Sequence, residues 1–288
     1  MSEHLVTRIT RQKATFSKGQ SRIASYILEN TDTAAFMTAL SLGKTVGVSE
    51  STVVRFASML GYDGYPELQK AMQELIRSKL TTIQRIEVTR ARMEDAAVPD
   101  NIMAYDLANV RQTLEELPRD VFAKAVDTVA VAGRLYIFGA GSCRALATFA
   151  AYYFKLLLPD IRLISASSEA EIFEEMIHIG EEDALLGLSF PRYSAKAVRA
   201  VHFARSRGAK VITITDSELS PIATMANYLL LAHSDMATIV DSLVAPLSVL
   251  NALIVAVSLK TIDRSRSVLD ELEGLWESYG VYEPPQSG

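Results

Sequence analysis

Five short apolar runs recur through the second half of the chain, and most of the gaps between them are long enough for a helix. The runs are Leu135–Phe138, Ile161–Ile164, Ala184–Leu188, Val211–Thr215 and Tyr228–Ala232. Continuous apolar strands that alternate with helices are typical of a parallel sheet covered on both faces. The pattern therefore predicts an α/β three-layer domain with a five-stranded parallel sheet.

The first eighty residues show no such runs and instead carry apolar residues at helical spacing, such as Phe16, Ile23 and Ile27. A second apolar-periodic segment covers residues 34–47. A third helix is expected over residues 66–80, because Pro66 suits a first helical turn. This part of the chain is predicted to be all-α.

Residues 39–60 have the layout of a helix-turn-helix. One helix ends near Val46, Gly47 permits the turn, Ser49 caps a second helix over residues 50–60, and Gly61 ends it. In such a motif the second helix enters the major groove of DNA. Periodicity alone leaves a second possibility open, namely a helical hairpin that serves only for packing.

The second helix has two different faces. Its inward face carries Val53, Phe56, Ala57 and Leu60, and its outward face carries Ser51, Thr52 and Arg55. Small hydroxyls suit contacts with phosphates or base edges, and an arginine reads guanine through two hydrogen bonds. The outward face therefore suits DNA.

Charge and composition narrow the class of protein. Residues 1–80 hold ten Lys and Arg against seven Asp and Glu, while the whole chain has a net charge of −5. A mildly basic first segment permits a nucleic-acid partner without requiring one. Hydrophobic residues at 49% and charged residues at 22% indicate a globular protein and exclude a disordered or collagen-like chain.

Cysteine usage and hydropathy predict the compartment. The single cysteine, Cys143, excludes an intramolecular disulfide and a zinc site made of cysteines. The N-terminus lacks a signal-peptide core, and the longest apolar stretches break well before the roughly 20 residues that span a bilayer. We expect a soluble cytoplasmic protein with no membrane partner, no metal and no cofactor.

The expected organisation has four parts. They are a helix-turn-helix domain over residues 1–80, a linker and a helix near 101–117 over residues 81–118, the α/β domain over residues 119–265, and a C-terminal tail over residues 266–288. The last long helix is expected at residues 241–261.

Several blocks in the first segment resemble the N-terminal domain of the RpiR/MurR family of bacterial transcription regulators. They are FSKGQ from Phe16, IASYILEN from Ile23, GVSESTVVRF from Gly47 and LGYDGY from Leu60. The resemblance covers residues 16–80 and implies that DNA contacts come from Ser49, Ser51, Thr52 and Arg55, with Lys44, Tyr62 and Lys70 as weaker candidates. At least one of Tyr62 and Tyr65 is expected in the core.

A glycine-rich turn, GAGSCR, follows the first apolar run at Gly139. Glycines let the backbone approach a ligand, and free N–H groups at a helix start favour anions. The turn lacks the third glycine of a dinucleotide fingerprint, which disfavours NAD.

Hydroxyl residues stand near the ends of later apolar runs. Ser189 and Thr215 lie where open α/β sheets bind ligands, while Ser220 before Pro221 suits a helix cap.

These blocks resemble an SIS (sugar isomerase) domain over about residues 120–265. The carriers are GAGSC from Gly139, LGLS from Leu186 after Asp183, GAKVITITD from Gly208, SPIA from Ser220 and DSLVAPL from Asp241. The resemblance implies a small anionic effector, a phosphosugar by class, held through serine and threonine hydroxyls. The candidate effector residues are Gly141, Ser142, Cys143, Arg144, Ser189, Arg192 and Ser194.

The chain departs from the family pattern in two loops. Cys143 stands where the family commonly has serine, and it suits either a partly activated thiol or a plain buried residue. In the loop SFPRYS, Ser189 is kept and Ser194 replaces threonine, but Pro191 and Arg192 replace a serine and a glycine. The guanidinium of Arg192 can take a phosphate or a carboxylate through two hydrogen bonds.

Three function classes follow from the sequence. The first is a DNA-binding regulator controlled by an effector, acting as a homodimer or homotetramer on double-stranded operator DNA, because one helix-turn-helix reads only one half-site. The second is a sugar-phosphate isomerase, which needs a base at the sugar carbons; the candidates are Glu169, Glu171, His178, His202 and His233. The third is a structural or interaction module. The fused helix-turn-helix favours the regulator and argues against an enzyme.

Overall fold

The computed structural model describes residues 5–77, 81–92, 97–166, 168–234 and 238–283. These residues form two compact units. The first covers Met1–Glu94 with the short segment Ala237–Ile239, and the second covers Asp95–Met236 with Val240–Gly288.

The N-terminal unit is all helical across its described residues, as predicted. Its helices are α1 (Leu5–Gln12), α2 (Lys18–Glu29), α3 (Thr31–Ala34), α4 (Ala39–Val46), α5 (Glu50–Met59), α6 (Tyr65–Arg77) and α7 (Thr82–Arg92). Apolar residues from α1 to α6 form one core, centred on Ile23, Leu42 and Phe56, none of which is exposed to solvent. Tyr65 is buried in this core, which confirms the prediction that one of the two tyrosines is a core residue.

Two helix predictions in this unit need correction. The periodic segment 34–47 is not one helix, because α3 ends at Ala34 and Thr38 caps a new helix by accepting a hydrogen bond from the Ser41 N–H at 3.1 Å. Residues 82–92, predicted as linker, form α7. Thr81 and Gln84 begin α7 with reciprocal hydrogen bonds between side chain and backbone, a capping box. The end of the predicted helix 66–80, residues 78–80, lies outside the described residues.

The C-terminal unit has the predicted parallel sheet. Its strands are β1 (Leu135–Gly139), β2 (Ile161–Leu163), β3 (Ala184–Leu188), β4 (Lys210–Thr215) and β5 (Tyr228–Leu231), and its helices are α8 (Val98–Glu116), α9 (Arg119–Val131), α10 (Cys143–Leu157), α11 (Glu169–Met176), α12 (Ala195–Ser206) and α13 (Val244–Ser278). All strand pairs are parallel, in the order β2-β1-β3-β4-β5. The strand order therefore reverses between β1 and β3, because β2 is added on one side of β1 and the later strands on the other, and ligands bind such sheets at this switch point.

Helices cover both faces of the sheet and make three layers. One face packs against α9, α10 and α13 through residues such as Ile137, Phe154 and Leu253. The other packs against α11 and α12 through residues such as Phe138 and Val201. Because both faces are buried, β1 and β3 are apolar at every position rather than alternating.

The last helix is longer than the sequence predicted. It was expected at residues 241–261 and continues to Ser278, into the predicted tail. By length and composition α13 is long and apolar enough to cross a membrane, contrary to the prediction that apolar stretches break too early. Core helices of soluble proteins have the same length and composition, and 44% of the apolar 18-residue segment of α13 is buried inside the unit. Residues 284–288 lie outside the described part of the chain.

The segment after β4 also differs from the prediction. Ser220 does not cap a helix, because a short 3-10 turn begins only at Ala223. The Ser220 hydroxyl is fully buried and has no hydrogen-bond partner among the described residues.

The predicted helix at 101–117 is α8, which begins three residues earlier, at Val98.

Candidate functional sites

The helix-turn-helix consists of α4, a turn at Gly47 and α5. Gly47 adopts a left-handed conformation with φ of 70°, and the Val48 N–H donates to the Gly43 carbonyl at 2.8 Å, which ends α4 tightly. A Cβ at Gly43 would stand 2.9 Å from the Val48 carbonyl oxygen. The two helices therefore approach each other closely only because residue 43 has no side chain.

The predicted DNA-contacting side chains lie on the solvent side of this motif. Lys44, Ser49, Ser51 and Arg55 are exposed, and Thr52 is half-buried. The inward face is buried as predicted, with Val53, Phe56 and Ala57 fully inside and Leu60 nearly so. The structure thus gives α5 one buried face and one polar, exposed face.

Hydroxyl groups cluster at the start of α5. Ser49 occupies the predicted cap position, but its hydroxyl makes no capping bond to the backbone. It hydrogen-bonds the Ser51 and Thr52 hydroxyls instead, each at 2.9 Å. The Arg55 Nε donates to the Ser51 carbonyl at 3.2 Å, so the guanidinium lies along the exposed face of the helix. Three hydroxyls at the start of α5 and the guanidinium of Arg55, one turn beyond Ser51, therefore lie close together along the helix.

Two arginines that the sequence analysis did not single out hold this motif by hydrogen bonds to its backbone. Arg22 on α2 donates to the Gly47 carbonyl at 3.0 Å, and Arg8 on α1 donates to the Leu60 carbonyl at 3.0 Å. The Arg8 guanidinium also lies over the ring of Tyr62, 4.7 Å from the ring centre. Tyr62, one of the weaker candidates for a DNA contact, is therefore partly covered. No sequence motif marks these bonds, because they join residues that are far apart in the chain. Lys70 is exposed on α6, outside the helix pair.

The second candidate site lies at the carboxyl edge of the sheet, where β1 and β3 end side by side with Gly139 paired to Leu188. Gly141 is left-handed with φ of 61°, and α10 starts two residues later. Ser142 and Arg144 are exposed in this turn. A Cβ at Gly139 would stand 2.4 Å from the Cys143 carbonyl oxygen, so the tight turn into α10 requires glycine there.

Cys143 is a core residue rather than an activated thiol. Its side chain is buried against the sheet, and burial raises the pKa of the thiol to about 11, outweighing hydrogen bonds from the Phe190 backbone and the Ser142 hydroxyl. At neutral pH the sulfur is therefore protonated. Its contact with Phe190 shows that the first and third strand loops touch.

The loop after β3 is held by hydrogen bonds to the end of β4. The Thr215 hydroxyl donates to the Ser189 carbonyl at 2.6 Å, and the Tyr193 hydroxyl donates to Asp216 at 3.0 Å. Ser189 is buried, and its own hydroxyl has no partner among the described residues. Ser194 is half-buried at the start of α12 and Arg192 is exposed.

The arginines of the two loops are unpaired, while two acids at the start of α11 are engaged with other groups. Arg144 and Arg192 make no ion pair or side-chain hydrogen bond within the described part of the chain. Glu169 pairs with Arg199, and Glu171 completes a capping box with Ser168 at the start of α11. Neither of these two acids therefore neutralises Arg144 or Arg192.

The candidate isomerase bases do not form a cluster. His178 lies at the opposite, amino edge of the sheet, where its carbonyl accepts a hydrogen bond from Arg134, and His202 is exposed on α12. His233 follows β5 and contacts Glu116 of α8 at 2.6 Å. No group of three or more potential metal ligands occurs among the residues that the structure describes.

Comparisons with known proteins match both domains of the chain. A family model for the helix-turn-helix domain of the rpiR family matches residues 3–79, and a model for the SIS domain matches residues 128–256. The chain belongs to the RpiR family. This confirms the resemblance inferred from the two sets of motifs, and it makes the chain a transcriptional regulator with a helix-turn-helix domain and an SIS domain.

Relatives and solved structures support the same assignment. The regulator is 27% identical over 270 residues to the HTH-type transcriptional regulator HexR of Pseudomonas aeruginosa, covering 90% of each chain. It is 23% identical over 226 residues to an HTH-type transcriptional regulator of Clostridium perfringens, covering 78% of this chain and 80% of the relative. The fold is similar to that of Vibrio vulnificus NanR complexed with ManNAc-6P, at 18% identity, a TM-score of 0.59 and coverage of 96% and 98%. It is also similar to the sugar isomerase domain of an RpiR transcription factor from Sphaerobacter thermophilus, at 24% identity and a TM-score of 0.58, covering 62% of this chain and 98% of that one.

Proposed function

We propose that this regulator binds operator DNA through α5 and that a phosphorylated sugar, bound at the carboxyl edge of the SIS sheet, controls its affinity for DNA. Residues 1–80 supply the DNA-binding domain and residues 119–265 the effector domain, in the cytoplasm of a bacterium. The DNA contacts come from Lys44, Ser49, Ser51, Thr52 and Arg55.

The observation that carries the effector proposal is the pair of arginines on the two loops at the switch point. Arg144 and Arg192 have no ion-pair or hydrogen-bond partner for their side chains in the described structure, whereas Glu169 pairs with Arg199 and Glu171 belongs to the capping box of α11. Two unpaired guanidinium groups, a helix start and hydroxyls at one sheet edge match the chemistry of a phosphate group. The similarly folded NanR is complexed with a phosphosugar, ManNAc-6P, which is a property of that protein and the reason to test the same class here.

The effector site is predicted to be built by the glycine turn and the SFPRYS loop together. Gly141, Ser142, Cys143 and Arg144 come from the first, and Ser189, Arg192 and Ser194 from the second. In this arrangement Cys143 supplies shape rather than reactivity, because its thiol is buried.

Self-association is the third part of the proposal, since an operator read by a helix-turn-helix usually has two half-sites. Helix α8 buries polar side chains and exposes apolar ones, the reverse of the usual arrangement. Its polar residues Asn109 and Thr113 are buried, while Met103, Leu107 and Leu114 are 61–72% exposed. These three lie on one stripe of the helix, at the spacing of a helix–helix contact. We therefore assign a homodimer contact to α8.

The deciding experiment measures DNA affinity and thermal stability with a panel of sugar phosphates. Operator fragments from the neighbourhood of the gene are titrated by fluorescence anisotropy against random DNA. We expect specific binding that one phosphorylated sugar shifts, and a rise in melting temperature with the same compound that Arg192→Ala reduces. Equal binding to random DNA would contradict the regulator. A shift that survives unchanged in Arg192→Ala would exclude the role of this arginine, and no shift with any phosphorylated sugar would exclude the ligand class.

A further inference from the structure

Helix α8 docks on the rest of its unit through polar side chains. Asp106, Asn109, Thr113 and Glu116 recur at helical spacing, and we call them the polar face of α8. Asn109 and Thr113 are buried, whereas none of the described residues of α8 belongs to an apolar core of the C-terminal unit. Elements with few buried apolar contacts open at a low free-energy cost. The docking of α8 therefore depends on hydrogen bonds rather than on apolar burial.

The polar face bonds the connection between β5 and α13, which we define as the described residues 232–234 and 238–243. The His233 N–H donates to the Thr113 hydroxyl at 2.9 Å, and the His233 ring lies 2.6 Å from the Glu116 carboxylate. At the other end of the connection, the Ser242 hydroxyl donates to the Asp106 carboxylate. Thr113 and Asp106 are seven residues apart, so the connection holds α8 at two points about two helical turns apart.

The same connection reaches the proposed effector site. It starts at the carboxyl end of β5, which in a parallel sheet is the edge where β1 and β3 also end. Burial raises the pKa of the Cys143 thiol most, and the charge of Asp241, in the connection, raises it further. Since a charge shifts a pKa in this way only from nearby, Asp241 is close to the glycine turn. Leu243, the last residue of the connection, packs against the apolar core that contains Cys143 and Phe190.

Helix α8 is also the first helix of the C-terminal unit. In the chain it follows α7, the last helix of the N-terminal unit. A change in the docking of α8 is therefore passed along the backbone to the DNA-binding domain. An effector changes DNA affinity only through an element that has two arrangements of different free energy. Docked and released α8 are two such arrangements, because the bonds that separate them are few and directional.

We propose that the polar face of α8 and the connection couple effector binding to DNA affinity, with α8 docked in one state of the protein and released in the other. Thr113, His233 and Ser242 are positioning residues, because they hold α8 against the connection and touch neither effector nor DNA. The proposal rests on the DNA and effector parts of the proposed function and names the element that joins them.

The test uses the double variant Thr113→Val/Ser242→Ala in the full chain. Valine keeps the shape of threonine but accepts no hydrogen bond from the His233 N–H, and alanine removes the donor to Asp106. The matched control is Thr128→Val/Ser248→Ala, in which each hydroxyl donates to a carbonyl one turn earlier in its own helix, α9 or α13. Circular dichroism verifies that each variant is folded.

Operator affinity is measured by anisotropy with and without glucose phosphate, fructose phosphate and inorganic phosphate, and binding of each compound by isothermal titration. We expect wild type and control to show the same change in operator affinity. In the double variant α8 is released whether or not the site is filled, so the change should fall below about twofold while the compound still binds within about threefold of the wild-type affinity.

Hydrogen exchange of the α8 amides gives a second readout that needs no DNA. We expect the active compound to change α8 exchange in the wild type, and exchange in the double variant to be fast with and without it. Unchanged α8 exchange in the wild type would overturn the proposal.

The outcomes separate this proposal from the proposed function. If the effector changes operator affinity by the wild-type factor in the double variant, the coupling element is wrong and the proposed function stands. If the double variant no longer binds the compound, its residues belong to the effector site and the proposal is again overturned. If the wild type binds operator but no compound changes its affinity, the effector part of the proposed function and this proposal fail together.

Discussion

Among single residues, the proposed DNA contact at Arg55 can be tested for base reading against contact with the DNA backbone alone. Its side chain is exposed and its Nε bonds the Ser51 carbonyl, which directs the guanidinium along the outer face. We expect Arg55→Ala to weaken operator binding by about 1–3 kcal/mol if the arginine reads a base. Anisotropy titrations at fixed salt, with operator and random fragments, measure the loss.

The conservative variant separates the two roles. Arg55→Lys keeps the charge but loses the two-pronged hydrogen bonding that matches guanine. Base reading therefore predicts a loss on operator DNA with Lys as well as with Ala, whereas a phosphate contact predicts nearly full rescue by Lys. An equal loss on operator and random DNA in Arg55→Ala would make Arg55 a phosphate contact.

Cys143 gives a residue-scale prediction that depends on pH. Burial raises the pKa of its thiol from 9.0 to about 11, so the thiolate, which is the reactive form, is rare at pH 8 and increases only as the pH approaches 11. We expect the native protein to react with a thiol reagent far more slowly than a free thiol at pH 8, and the unfolded protein to react fully. Cys143 is the only cysteine, so Cys143→Ser should abolish all labelling. Rapid labelling of the native protein at pH 8 would show an accessible, activated thiol.

At the scale of elements, the helix-turn-helix depends on one close approach. Alanine favours a helix over glycine by about 1 kcal/mol, so Gly43→Ala would stabilise α4 if nothing touched it. Its Cβ would instead stand 2.9 Å from a backbone oxygen, and overpacking of this kind costs about 1–3 kcal/mol. We expect net destabilisation in urea unfolding, together with weaker DNA binding.

Gly274→Ala is the matched control for this prediction. Gly274 also lies inside a helix, but a Cβ there would meet nothing within 4 Å. The same substitution should therefore be neutral or stabilising by up to about 1 kcal/mol. If Gly43→Ala raises the stability as Gly274→Ala does, the close approach of α4 to the turn does not constrain this position.

Elements whose signals are local were predictable from the sequence. Each strand begins and ends within one residue of its predicted position, because apolar runs bounded by breaks specify strands buried on both faces. Gly61 ends α5 as predicted, with φ of 84° and a bond from the Tyr62 N–H to the Ala57 carbonyl. The length of α13 was not predictable from apolar periodicity, since its last turns are charged and exposed. The helix continues to Ser278, and the left-handed Gly280 follows its C-cap residue, Tyr279.

Contacts between distant residues were the part that the sequence did not reveal. The sequence identified candidate side chains in both loops of the SIS edge, but not that Tyr193 bonds Asp216 or that Glu169 pairs with Arg199. These tertiary contacts decide that Arg199 has an acidic partner while Arg144 and Arg192 have none among the described residues. For the same reason the hydrogen bonds by which Arg8 and Arg22 hold the helix-turn-helix are seen only in the folded chain.

For the whole protein, the proposed self-association through α8 determines the symmetry. In this proposal the exposed stripe of Met103, Leu107 and Leu114 pairs with itself across a two-fold axis, and one self-complementary surface of this kind builds a dimer. The operator then presents its half-sites to pairs of DNA-binding domains, so the assembly determines how many half-sites one molecule reads.

The last prediction concerns how the effector and DNA influence each other. A ligand changes DNA affinity only by binding two states of the protein with different affinity, and such coupling typically amounts to about 1–3 kcal/mol, or 5–150-fold. Thermodynamic linkage makes the effect reciprocal, so saturating operator DNA must change the effector affinity by the same factor and in the same direction.

Isothermal titration of the effector, with and without operator, measures the effect of DNA on effector affinity. Anisotropy with and without effector measures the effect of the effector on DNA affinity. Unequal factors would show that the two titrations do not report on one pair of sites. Because Arg192 belongs to the proposed effector site and not to α5, we expect Arg192→Ala to lower effector affinity while the affinity of the free protein for DNA stays at the wild-type value.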